Sequence, residues 1–112
     1  MSDPRYRTKR RFRRRTARVL VEFLTDSGPR CEVATTLGAG GLFIQTDTPC
    51  REGTVLKLRF RVSDCGKVHE IEGRVVWSNR VGPDAVGAPG MGVEFTDRNA
   101  TRALARELES LD

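Results

Sequence analysis

Between residues 54 and 62 the chain reads TVLKLRFRV, with Leu56, Leu58, Phe60 and Val62 separated by Lys57, Arg59 and Arg61. A two-residue period sorts these side chains cleanly, apolar to one face and cationic to the other, only in a β-strand laid half-buried on a core. The same period recurs along the chain. Residues 17–24 gather Ala17, Val19, Val21 and Phe23 on one face, and residues 30–37 gather Cys31, Val33 and Thr35. A short strand follows over 41–46. Residues 68–78 gather Ile71, Gly73, Val75 and Trp77, opposite Glu70, Glu72 and Arg74, and residues 91–95 gather Met91, Val93 and Phe95. Asp26-Ser27-Gly28-Pro29, the glycine-rich 38–41, residues 47–53, residues 63–67 and a loop over 79–90 separate the strands, and the first two strands form a hairpin. Gly73 in mid-strand predicts a bulge or sharp bend. Thr96 or Asp97 caps a helix over 98–111, whose apolar stripe is Leu104, Leu108 and Leu111. Six alternating strands and one amphipathic helix describe a mainly β chain, an antiparallel barrel or sandwich with the helix packed on it.

Charge divides the chain of 112 residues unevenly. Residues 1–18 hold nine basic side chains, eight Arg and one Lys, against the single acid Asp3; the remainder holds eleven basic and fourteen acidic groups. The net +5 therefore resides in the N-terminal segment. Residues 1–15 read as a flexible basic arm and 16–112 as the folded domain. A merely solvated tail gains nothing from arginine over lysine, whereas a site for phosphate or guanine does, through paired hydrogen bonds and stacking.

Several chemistries are excluded or disfavoured. No apolar run approaches the length of a membrane-spanning helix, and the start, Met1-Ser2-Asp3-Pro4, leads into basic residues without an apolar stretch. The cytoplasm is the expected compartment. Cys31, Cys50 and Cys65 are too far apart for a C-x-x-C clip, so neither a disulfide framework nor a zinc site is expected. The one histidine, His69, falls at the start of a strand on its apolar face and reads as a structural residue. Glu70 and Glu72 read as part of a solvated ladder, and neither a nucleophile elbow nor a P-loop is present. No enzyme and no cofactor are expected.

Three segments carry a resemblance. Arg10 to Arg14 fits R-x-x-x-R just ahead of a strand. Thr36-Leu37-Gly38-Ala39-Gly40-Gly41, continued by Leu42-Phe43-Ile44, resembles a D/N-x-S-x-x-G motif with its GLFI continuation. Gly90-Met91-Gly92-Val93-Glu94-Phe95 is similar to a last-strand signature of the same family. The family is the PilZ domain, a bacterial receptor module for cyclic di-GMP, and the resemblance runs from about Arg10 through the helix. It implies a six-stranded antiparallel β-barrel with a C-terminal α-helix and a ligand on the outer surface. The ligand-binding residues it implies are Arg10, Arg14, Thr36, Gly38, Gly40 and Gly41, with Arg11 and Arg15 as an alternative register for the arginines. The guanidiniums would meet phosphates and the O6/N7 edge of guanine.

The chain departs from that motif at two places: Thr36 stands at the Asp/Asn position and Gly38 at the Ser position, while Gly41 matches. Losing two side-chain hydrogen bonds costs about 1–3 kcal/mol, roughly tenfold to a hundredfold in affinity. Two functions follow. One is a non-catalytic cyclic di-GMP receptor whose arm orders on the ligand and so signals to an unidentified protein partner. The other is a degenerate adaptor that has lost the nucleotide and acts through protein contacts alone. Binding of nucleic acid or another anionic surface through the arm is the third reading. Only Tyr6 and Phe12 interleave the arginines, too few for a stacking platform, which argues against nucleic acid. The leucine stripe of the helix covers the barrel or serves a second copy, which leaves a monomer or a weak dimer.

Overall fold

The alternating segments close on themselves. The computed structural model describes residues 14–63, 66–79 and 89–110. Its strands are β1 (Arg14–Thr25), β2 (Gly28–Gly38), β3 (Gly41–Gln45), β4 (Val55–Arg61), β5 (Val68–Asn79) and β6 (Gly90–Phe95), and α1 (Arg98–Ser110) follows. All neighbours pair antiparallel in the order β1-β2-β3-β6-β5-β4, and β4 returns to β1 to complete a closed barrel. Leu56, Leu58 and Phe60 point inward as the alternation requires, joined by Val21, Ile44, Ile71 and Met91. Burying each such side chain stabilises the fold by about 1.5–3 kcal/mol.

Helix α1 packs on this core through Leu104 and Leu108; Leu111 lies outside the described residues. Asp97 is the cap, its Oδ1 accepting from the N–H groups of Asn99 and Ala100 at 3.1 Å each. A second tie is polar. Nε2 of the buried His69 lies 2.6 Å from Oε1 of Glu107, and the imidazole leans on the Phe60 ring at 5.8 Å. Near the β1–β2 turn, Arg30 lies over the ring of buried Phe23 at 5.1 Å. It donates to Glu32 at 2.6 Å, to Thr46 Oγ1 at 2.7 Å and to the Thr48 carbonyl at 2.9 Å.

Three expectations are corrected. The β1–β2 turn is only Asp26-Ser27, closed by Gly28 at φ +114°, so β2 begins earlier and β1 is longer than the alternation suggested. In β2 the face holding Cys31, Val33 and Thr35 is the outer one; Ala34 and Leu37 are buried, and Cys31 is exposed. A register shift between Ala34 and Thr36 makes this switch, moving the inward positions from even to odd numbers. In β5 the irregularity falls between Val75 and Trp77, not at Gly73. Gly73 keeps its inward place, where a Cβ would press on Val93 Cγ1. Trp77, expected in the core, is thereby turned outward and is 46% exposed.

Candidate functional site: an outer face around the glycine corner

The β2–β3 connection is a tight turn of Ala39-Gly40, bracketed by Gly38 paired with Gly41. It is tied into the barrel rather than left hanging, since the Gly40 carbonyl accepts from the Phe95 N–H at 3.0 Å. Gly41 has a second reason to be glycine: a Cβ there would collide with the Val93 carbonyl oxygen of β6. The absence of side chains keeps this corner low, so that a ligand can approach the backbone closely.

Strand register extends the corner into a surface. One row of paired positions runs Arg14, Gly38, Gly41, Glu94, Arg74 across β1, β2, β3, β6 and β5. The next row runs Thr16, Thr36, Phe43, Gly92, Trp77. Neighbours within a row stand about 4.5–5.5 Å apart at Cα and share a face. That face is the outer one: Leu42, Ile44, Met91 and Val93 take the alternate, buried positions. Gly92 makes the second row possible. A Cβ at Gly92 would strike Trp77 Nε1, so the indole lies across bare β6 backbone and reaches Phe43. The two rings stack at 5.2 Å between centroids and 17° between planes. An aromatic laid over a strand glycine in this way shields the backbone and fixes its own orientation. Phe43 also covers Gly90, where a Cβ would meet its ring edge.

The expected site residues are placed as follows. Arg14 and Arg15 begin β1, opposite Gly38 and Leu37 respectively. Thr36 is half-buried and outward, between Thr16 and Phe43. Gly38, Gly40 and Gly41 form the corner. Arg10 and Arg11 lie outside the described residues. The fold thus brings Arg14 beside the glycine corner with Thr36 one row away. Sequence reasoning missed Phe43, Trp77, Glu94 and Arg74 as parts of this face. Phe43 stands in the GLFI continuation of the motif, but nothing in that run marks its ring as part of an outer face. Trp77 carried one signal, an aromatic on the strand that pairs with the G-M-G of β6, which the even alternation of β5 masked.

The face offers three kinds of recognition. The exposed indole is a plane on which a heterocycle can stack. Glu94, exposed beside Gly41, is an acceptor-only group suited to ring N–H donors, and Arg74 beside it is a donor fork. Among the described residues no group of His, Cys, Asp and Glu is arranged to hold a metal ion. The His69–Glu107 pair sits eight residues along β5 from Trp77 and belongs to the helix contact.

Comparison with known proteins agrees with the architecture. The PilZ domain family model matches residues 8–111. No curated protein matches the chain in sequence. Among solved structures, the PilZ domain of YcgR from Escherichia coli, determined with c-di-GMP, superposes with a TM-score of 0.69 at 18% identity, covering 92% of this chain and 91% of that one. The MrkH–c-di-GMP complex of K. pneumonia gives 0.72 at 18% identity, over 91% of this chain and 52% of that one. The inhibitor of motility MotI/DgrA of Bacillus subtilis gives 0.70 at 17% identity, over 88% and 48%. The chain spans about half the length of the latter two. At these identities the likeness is one of fold.

Proposed function

Since the chain belongs to the PilZ domain family, we propose that it is a receptor for cyclic di-GMP, which it holds on the outer face around Thr36 and the glycine corner. The observation that carries this reading is the register that sets Arg14 opposite Gly38, on the face where Trp77 and Phe43 stack. Arg10 and Arg14 grip phosphate and the guanine O6/N7 edge, with Arg11 and Arg15 as the alternative pair. Trp77 supplies a stacking plane, and Gly38, Gly40 and Gly41 let the ligand lie close. Residues 1–15 act as the arm and residues 16–112 as the barrel, the arm ordering over the ligand to present a changed surface to a protein partner in the cytoplasm. The reading is non-catalytic. The YcgR PilZ domain and MrkH, similar in fold, were determined with c-di-GMP, which supports the choice of ligand.

Isothermal titration of the full chain with cyclic di-GMP is the test. Arg10→Ala with Arg14→Ala is expected to abolish the heat of binding while leaving the thermal midpoint of the free protein nearly unchanged. Thr36→Asp with Gly38→Ser is expected to tighten binding tenfold or more. Among the described residues only Gly28 and Gly53 have positive φ, so serine at position 38 meets no backbone strain of that kind. No heat from the unmodified chain, with heat restored by that double substitution, would identify the second reading, an adaptor working without nucleotide. Thr36 and Gly38 are the residues that favour it. Binding that ignores both sets of substitutions would place the ligand elsewhere.

A further inference from the structure

We propose that the cleft between the first half of β1 and the end of β4 accepts an extended acidic segment of a partner protein as an added strand. β4 pairs with β1 only at Val21, Glu22 and Phe23, although β1 runs from Arg14 to Thr25. From Arg14 to Leu20 the strand pairs with β2 on one side, and no strand pair joins its other edge to β4. The barrel closes, but by a short seam. A register shift between Thr16 and Val19 divides this edge into two short runs, each of which presents backbone donors and acceptors to a further strand.

The seam opens into a cleft of about 580 Å³. It is apolar at Val19, Phe60 and Val62, and Arg18, Arg59 and Arg61 line it with one acid, Glu22. The three arginines are exposed, and among the described residues none has an ion-pair partner. Leu20, also lining the cleft, is 62% exposed. A strand alternating carboxylate and aliphatic side chains answers this. Its backbone pairs with β1, its carboxylates share the outer face with the guanidiniums and Leu20, and its apolar residues, on the opposite face, turn toward Val19, Phe60 and Val62. Other occupants fit less well. A nucleic-acid strand leaves the backbone edge unpaired and finds no stacking plane, because Phe60 is only 3% exposed. A second copy joined β1 to β1 sets arginine against arginine. The chain's own leader, with nine basic groups to one acid over residues 1–18, carries the wrong sign. The surface lies on the edge of β1 away from β2, so this proposal does not depend on nucleotide binding.

The probe is a capped, fluorescently labelled hexapeptide alternating glutamate and valine, titrated into the full chain by anisotropy, with a lysine–valine peptide as control. Hydrogen exchange over residues 14–20 is followed in parallel. Saturable binding of the acidic peptide alone, with slowed exchange in that segment, is expected. Arg59→Ala with Arg61→Ala should weaken it roughly fivefold to tenfold, and Leu20→Glu, at an exposed position outside the core, should weaken it further. No binding, equal binding of the cationic peptide, binding without slowed exchange over 14–20, or competitive displacement by cyclic di-GMP would each overturn the proposal. So would slowed exchange that appears on raising the protein concentration without peptide, which would assign the edge to a second copy.

Discussion

Gly41 and Gly92 stand in adjacent rows of the same face, and each keeps a side chain out of a close approach, but against different neighbours. At Gly41 the obstacle is the Val93 carbonyl, main chain within a ladder that cannot move without breaking pairing. Gly41→Ala is therefore expected to cost about 1–3 kcal/mol in urea denaturation. At Gly92 the obstacle is the Trp77 indole, which can swing into solvent. Gly92→Ala is expected to cost less than Gly41→Ala while red-shifting tryptophan emission, and on the proposed reading it weakens cyclic di-GMP binding as Trp77→Ala does. An unchanged emission maximum would mean that the stack on Phe43 survives. The glycine of the 36–41 motif was legible because a motif fixes its position in the chain. Gly92 was legible only as one letter of a strand, since its role depends on a tryptophan fifteen residues away, brought across by pairing.

Helix α1 shows what local sequence can specify. An Asp ahead of a helical leucine stripe announced both the start and the buried face, and the structure places Asp97 as the cap with Leu104 and Leu108 inward. Asp97→Ala is expected to lower stability by about 1 kcal/mol. Leu104→Ala, at a fully buried position, should cost about 2–5 kcal/mol. Equal costs for the two substitutions in denaturant melts would contradict this packing. The strands were harder to read. Alternation assigned β4 and β6 correctly because both run without interruption. It misassigned β2 and the end of β5, where one extra residue against the partner strand turns every later side chain to the other face. Such a residue carries no compositional mark. Gly73 had the mark and lacks the bulge, its small size being used instead for close packing against Val93.

For the whole barrel, closure rests on three β1–β4 pairs, compared with seven between β4 and β5. Local opening should therefore begin along that seam. Hydrogen exchange is expected to be faster for the β1 and β4 amides that face each other than for those of β4 facing β5, and a uniform rate around the barrel would argue for a single cooperative unit. That β-strands form, that a capped helix follows them, and that arginine gathers ahead of the first strand are properties of the chain itself. Side-chain period, capping chemistry and charge act over a few neighbouring residues and so are written in their order. Pairing decided the rest. It set which strand lies beside which, placed Arg14 against Gly38 and Glu94 beside Gly41, moved Trp77 from core to surface, and among the described residues left the first half of β1 without a pairing to β4. These are contacts between residues distant in sequence. Their geometry depends on register and on single-residue shifts, which no short stretch of the chain records.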